Sequence, residues 1–248
     1  MAAAAGSGNV TAPLVRRSPV HTGEVVAVDE LTPRMRRVTV RCESILAVRP
    51  AQDVDVFLRG GDGRRVKRRY TIRHFRPDLH EVDLDVLMHG LGPGSAWAQS
   101  VQVGSAVEFQ GPRGKLELTS AAWHLLAGDE SALPAIATIC AALPPEERAI
   151  AVIEVGDEAD ELPLPAAAQV QWVHRGAAEP GGSELLAGAL TAVALPGGAG
   201  HGYLMGETRA VVALRPLLEA RGIAHEAIFV KGYWNRGRPD RIAGRSPA

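Results

Sequence analysis

The stretch Arg68-Arg69-Tyr70-Thr71-Ile72-Arg73 stands just ahead of Glu81-Val82-Asp83-Leu84-Asp85-Val86-Leu87-Met88. Polar and apolar residues alternate over the second stretch, the pattern of a half-buried strand, and the first belongs beside it in an antiparallel sheet. Successive side chains on a strand point to opposite faces. Arg68, Tyr70 and Ile72 therefore share one side, and Arg69, Thr71 and Arg73 the other. A guanidinium, a phenol ring and a hydroxyl this close together can bind phosphate, stack on a flat ring and hydrogen-bond its edge. Those are the needs of a flavin nucleotide. The same residues also suit a solvated basic face, so the neighbouring segments decide.

Short strands recur on both sides. Residues 24–28 and 36–40 are separated by Thr32-Pro33, and residues 53–58 run into the hairpin signal Gly60-Gly61-Asp62-Gly63. Residues 69–75 and 81–88 join through Pro77-Asp78, and residues 106–109 form a sixth strand. Many short strands with turn signals and almost no helix predict an antiparallel barrel or sandwich. After Leu118 the rhythm changes. Strands are expected at 123–127, 149–154, 170–173, 203–205 and 227–230, with helices at 135–143, after a Ser183 cap, and at 207–220. Alternation of that kind predicts crossover units and a parallel sheet. The expected organisation is a tail (1–18), a β-barrel domain (19–119), an α/β domain (120–236) and a flexible end (237–248). A β-barrel followed by an α/β half suggests a cofactor at their junction and a nucleotide at the carboxyl ends of the parallel strands.

Composition narrows the function classes. The chain has 248 residues, enough for one large or two modest cores, and a formal charge of −1 gives no global pull toward nucleic acid or anionic membrane. No apolar run reaches the length of a membrane span. The first eight residues read as a tail rather than a signal peptide. Cys42 and Cys140 read as buried thiols of a reducing compartment. A cytoplasmic monomer is expected.

Several loops carry the chemistry. His89-Gly90-Leu91-Gly92-Pro93-Gly94-Ser95 leads into Ala96-Trp97-Ala98-Gln99. It reads either as a backbone cradle for a pyrophosphate, with Ser95 as cap and donor, or as a plain glycine-rich connector. Gly111-Pro112-Arg113-Gly114 reads as a turn whose arginine can reach an anion. Gly128-Asp129-Glu130-Ser131-Ala132-Leu133-Pro134 occupies a strand-to-helix turn but lacks the spacing of a dinucleotide fingerprint, and its acids would repel a pyrophosphate if they faced it. His174-Arg175 ends a strand, where the arginine can pair with a ribose 2′-phosphate or simply lie on the surface. Gly206-Glu207-Thr208 caps a helix or lines a nicotinamide pocket, and Gly232-Tyr233-Trp234 buries a terminus or covers a cofactor.

In this order, Arg68-to-Thr71, His89-to-Ala98, Gly111-to-Gly114, Gly128-to-Pro134, Gly206-Glu207 and Gly232-to-Trp234 resemble the siderophore-interacting protein family, the flavin-dependent ferric-siderophore reductases related to ferredoxin-NADP reductases. The resemblance covers roughly residues 20–237. It implies a six-stranded antiparallel FAD-binding barrel joined to a parallel-sheet NAD(P)H-binding domain. It further implies that Arg68 contacts the FAD phosphates, and that Tyr70 and Thr71 meet the isoalloxazine and ribityl region, with Thr71 nearest to a catalytic role. His89, Gly92, Gly94, Ser95 and Trp97 would hold the pyrophosphate and adenosine end. Asp129, Ser131 and Ala132 would border the nicotinamide nucleotide, and Arg113 and Lys231 would attract an anionic ferric siderophore; Arg175 and Trp234 are further cofactor-binding candidates on the residue readings given above. Ser131 stands where the family commonly has Thr, and Met205 where a small residue is common. The implied activity passes electrons from NADPH or NADH through FAD to chelated Fe(III), with no resident metal. Two alternatives stay open: a flavin reductase that serves a ferredoxin-like partner, and a siderophore-binding module without turnover. Single-stranded nucleic-acid binding through Arg64 to Arg69 is disfavoured by the overall charge.

Overall fold

Every second residue of the early strands is a branched or aromatic apolar one, and these side chains meet inside a barrel. Val38, Val40, Val54, Val56, Ile72, Val82, Leu84, Val86 and Phe109 are all essentially inaccessible to solvent. The computed structural model describes residues 19–45, 47–90, 92–165 and 168–237; the expected tail at 1–18, and all but the first residue of that at 237–248, lie outside them. The strands are β1 (Val20–Thr32), β2 (Met35–Arg41), β3 (Asp53–Arg59), β4 (Arg65–Arg76), β5 (Glu81–Leu87) and β6 (Ala106–Arg113). They form a closed barrel in the order β1-β2-β5-β4-β3-β6, antiparallel throughout. Helix α1 (Pro93–Ser100) follows β5 and packs Trp97 and Ala98 onto the barrel core.

Two details depart from expectation. Gly111-Pro112-Arg113 is not a turn but the end of β6, where Arg113 pairs with Asp53 across a bulge. The polar face of β5 is not solvated either: Asp83 and Asp85 are 2% and 6% exposed. Cations on neighbouring strands cover them. Arg37 forks onto Asp85 at 2.7 and 2.8 Å, and Asp83 receives Arg76, Thr39 and His74 at 2.6–2.9 Å. Burial raises the Asp83 pKa, but these donors outweigh it and bring the carboxyl down to about 2. A depressed carboxyl contributes stability above its unfolded pKa, near 4, and loses it as pH falls through its folded value. The protein should therefore shed roughly 2 kcal/mol between about pH 4 and pH 2 through Asp83. Urea midpoints across that range check this: Asp83→Asn should flatten the acid limb, and an unchanged limb would refute the assignment.

The second half contains β7 (Trp123–Asp129), α2 (Leu133–Ala142), β8 (Arg148–Val155), β9 (Ala168–His174), α3 (Glu184–Ala192), β10 (Gly200–Glu207), α4 (Thr208–Ala220) and β11 (Ile228–Trp234). The sheet is parallel in the order β11-β10-β7-β8-β9. One departure from strand–helix alternation occurs: β8 reaches β9 through a short 3-10 turn (Glu158–Asp160) and a proline-containing loop instead of a helix. Ser183 precedes α3 but makes no side-chain cap bond, whereas Glu207 caps α4 by accepting from Arg209 N and Ala210 N. Cores lie on both faces of the sheet. Ile136, Ile139 and Met205 on one face pack with Met35 and Ala51 of the barrel, while α3 and α4 cover the other. Cys42 and Cys140 are free buried thiols. Among the described residues no helix is long and apolar enough to cross a membrane.

Candidate functional site

Strand order reverses between β7 and β10, because the chain builds outward from β7 to β9 and then crosses back to β10 and β11. In open α/β sheets ligands bind outside the carboxyl ends of the strands at such a reversal. That edge meets the barrel along β4, so the site has three parts.

The first is a cradle between β4 and α1. The Tyr70 and Trp97 rings lie 5.7 Å apart, centre to centre. A Cβ added at Gly94 would stand 2.6 Å from the Tyr70 hydroxyl and 3.6 Å from Arg68 Cγ, so only glycine lets this helix turn approach the strand. Arg68, Tyr70, Gly94 and Trp97 are thus brought together as expected. The N-cap of α1 is Gly92, with Pro93 following and no side-chain cap. The first-turn N–H groups of such a helix have no intrahelical partner and favour an anion. Ser95 departs from expectation. It is buried within the first turn, and its hydroxyl accepts from His89 N and donates to His89 O. Its side chain ties the loop together; only its backbone is left to face a ligand.

The second part is the junction. Thr71 is 3% exposed and lies beside Tyr233 of β11. Neither hydroxyl has a well-formed hydrogen bond among the described residues. Burial pushes the Tyr233 phenol up, with Lys231 and Thr71 opposing it. Buried hydroxyls without partners are costly, and a flat ring with polar edge atoms would satisfy them. Beside them Asp53 and Asp55, both buried, gather four cations. Lys231 Nζ is 2.8 Å from Asp53, Arg69 Nε lies 3.3 Å from Asp55, Lys67 Nζ 3.5 Å from Asp55, and Arg113 pairs with both acids. Four cations on two carboxylates leave a net positive patch. Arg113 and Lys231 therefore do converge, although each is held by an acid rather than projecting freely.

The third part is the carboxyl edge. Asp129, buried at the end of β7, accepts from Ser131 N, the Ser131 hydroxyl, Glu207 N and Trp234 Nε1. Burial raises its pKa against the pull of these donors. Glu130 accepts from Gly156 N and forks onto Arg175. The two acids are therefore turned inward, which removes the expected clash with an anion. Arg175 does not extend toward solvent; its side chain is only 10% exposed. Ala132 is fully buried, and so is Met205, whose side chain points into the core and takes no space from a ligand. The Trp234 ring lies 6.2 Å from that of His89 and links this edge to the cradle. Sequence reasoning missed Asp53 and Asp55 as site components, whereas Tyr233 lay in a stretch read either as burying a terminus or as covering a cofactor. The acids alternate along β3 as an ordinary strand would, and no local signal pairs them with residues far along the chain. Among the described residues no cluster of His, Cys, Asp and Glu could hold a metal.

A closed six-stranded antiparallel barrel docked on a five-stranded parallel sheet is the ferredoxin reductase-like fold. Within it, residues 49–116 match the siderophore-interacting FAD-binding domain and residues 121–237 the siderophore-interacting protein model. The chain belongs to the siderophore-interacting protein family. It is 34% identical to an uncharacterized protein of Mycobacterium tuberculosis, over 90% of this chain and 93% of that one. It is 35% identical to the ferric vibriobactin reductase of Vibrio cholerae, over 70% of this chain and 66% of that one. The solved siderophore utilization protein from T. fusca superposes with a TM-score of 0.82 at 31% identity, covering 91% of this chain and 97% of that one.

Proposed function

We propose that this protein is a flavin-dependent ferric-siderophore reductase that takes electrons from a nicotinamide nucleotide. The observation that carries the reading is the pair of buried hydroxyls, Thr71 beside Tyr233, which lack a well-formed hydrogen bond and lie between the β4–α1 cradle and a net positive patch. The family, and the activity named for the Vibrio relative, support it. FAD, when bound, supplies the conversion of a hydride into single electrons that Fe(III) can accept. The chain supplies the rest. Arg68 and the first turn of α1 hold the diphosphate, with His89 at the adenosine end. Tyr70 backs the ring, and the Thr71 hydroxyl donates to its polar edge. Tyr233 excludes water from the far side. Lys67, Arg69, Arg113 and Lys231 draw an anionic ferric chelate to the junction, and the iron leaves once reduced, because Fe(II) binds hard oxygen ligands more weakly.

An absorption spectrum of the purified protein tests the scheme. A yellow protein bleached by NADH or NADPH and recoloured by a ferric catecholate supports it. A colourless protein that takes up no FAD would point to a binding module, and reoxidation by ferredoxin but not by the chelate would point to a protein acceptor. At residue level, Arg68→Ala should weaken FAD binding roughly 10- to 100-fold, the value of a lost charge-assisted phosphate contact. Titration of the apoprotein with FAD measures this, and an unchanged affinity would remove Arg68 from the site.

A further inference from the structure

A cavity of about 180 Å³ lies where the barrel docks on the second half. Leu133, Pro134 and Ala137 of α2, with Leu162, Pro163 and Leu164 of the β8–β9 loop, form one wall. Leu31, Arg37, Arg73, His74 and Asp85 of the barrel form the other. None of them is among the residues assigned above to the cradle, the junction or the carboxyl edge. Pro163 is exposed, so the cavity is reached from solvent.

Charges on the barrel wall do not cancel. Arg37 and Asp85 neutralise each other through the fork at 2.7 and 2.8 Å. Arg73 has no such partner. Its Nη1 lies 2.8 Å from His74 Nε2, and it enters no other hydrogen bond or ion pair among the described residues. Arginine has only donors, so Nε2 must be the acceptor of a neutral imidazole, whose Nδ1 donates to Asp83 at 2.9 Å. Burial holds the His74 pKa below its ordinary value, against the pull of Asp83. Burial also works against the Arg73 charge and Arg37 adds to this, while Asp85 and Asp83 favour the charge from beyond bonding distance. The wall thus carries one positive charge that lacks a counter-ion, facing leucines and prolines.

We propose that this cavity is a second binding site, for a small monocarboxylate with an apolar body the size of one ring, its carboxylate paired with Arg73. The planar fork of a guanidinium matches a carboxylate. A phosphate or a dicarboxylate would bring charge that the single cation leaves unbalanced, and the apolar wall offers nothing to replace the water such an ion sheds. Volume sets the size, since about 150 Å³ of apolar cavity accepts benzene and drug-sized sites begin near about 300 Å³. The bound molecule would touch both halves of the chain. The proposal uses none of the residues of the reductase reading and stands or falls without it.

Nuclear magnetic resonance of the 15N-labelled full chain, titrated with sodium benzoate, tests this. Amides of Leu133, Ala137, Leu162 and Leu164 should shift with a Kd of about 1 mM or tighter. Benzamide keeps the ring without the charge, and inorganic phosphate the charge without the ring; each should bind at least about tenfold more weakly. Arg73→Gln should weaken benzoate roughly 10- to 100-fold, the value of a lost charge-assisted pair. Ala137→Leu fills the cavity while keeping the charge and should abolish the shifts; it serves as the second variant should Arg73→Gln fail to fold. Shifts confined to residues 92–97 or to Lys67, Arg69 and Lys231 would place benzoate at the other site and overturn the proposal. So would phosphate binding as tightly as benzoate, no shifts at about 10 mM benzoate, or a Kd unmoved in a folded variant.

Discussion

Replacing Gly128 by alanine is expected to cost about 3 kcal/mol or more, a fall in Tm of roughly 10 °C for a chain of this size. The residue sits near the end of β7, paired with Met205 of β10 and Ile153 of β8. A Cβ there would stand 2.1 Å from the Met205 carbonyl oxygen and 2.8 Å from the Ala132 methyl. Neither can yield cheaply, because the carbonyl belongs to the parallel ladder and Ala132 is fully buried. Gly61→Ala is the matched control, since its Cβ would meet nothing within 4 Å. Thermal unfolding followed by circular dichroism measures both. Equal Tm values for the two variants would mean that β7 and β10 do not approach as described.

Asp129→Ala should be comparably severe and should also change the site. Four donors converge on this carboxylate from three places: Ser131 N and Oγ in the following turn, Glu207 N at the end of β10, and Trp234 Nε1 at the end of β11. The Glu207 amide is buried and cannot turn to water. Leaving such groups unsatisfied costs about 1–3 kcal/mol each, so a total near 3–5 kcal/mol is expected after the more accessible side chains rehydrate. Trp234 would lose its anchor, and its fluorescence should move toward that of a hydrated indole. Asp129→Asn keeps one acceptor oxygen and should fall between native and alanine. Native-like urea midpoints in Asp129→Ala would show that the four bonds are not the framework of this edge.

How far the residues alone disclosed this molecule follows from the range of the interactions. Alternation in 81–88 and the change of rhythm after Leu118 are local patterns, and both halves of the fold were legible from them. The glycine loop and its place beside β4 were legible too, since Arg68, Tyr70 and Gly94 are separated by only one strand. Partners further along the chain were not. Glu130 and Arg175, or Asp53 and Lys231, meet only because strand order brings them together, and a strand carrying Asp-x-Asp looks the same whether water or arginine covers it. For the same reason Gly111-Pro112-Arg113 read as a turn: the signal for a turn is local, while the pairing of Arg113 with Asp53 that continues the strand is not. Family resemblance supplied roles for residues whose side chains prove to be engaged elsewhere, Ser95 and Arg175 among them.

The contacts that join the two halves have a mechanical consequence. Lys231 on β11 is tied to Asp53 and to the Ala51 carbonyl, Thr138 on α2 receives Ala51 N, and Asp157 and Asp160 beyond β8 hold Arg34. Strands β11 and β8 are three places apart in the sheet, so the outer two ties are separated by about 14 Å at ordinary strand spacing. Pivoting about either tie would strain the other, so a swing of one half against the other is opposed at two separate points.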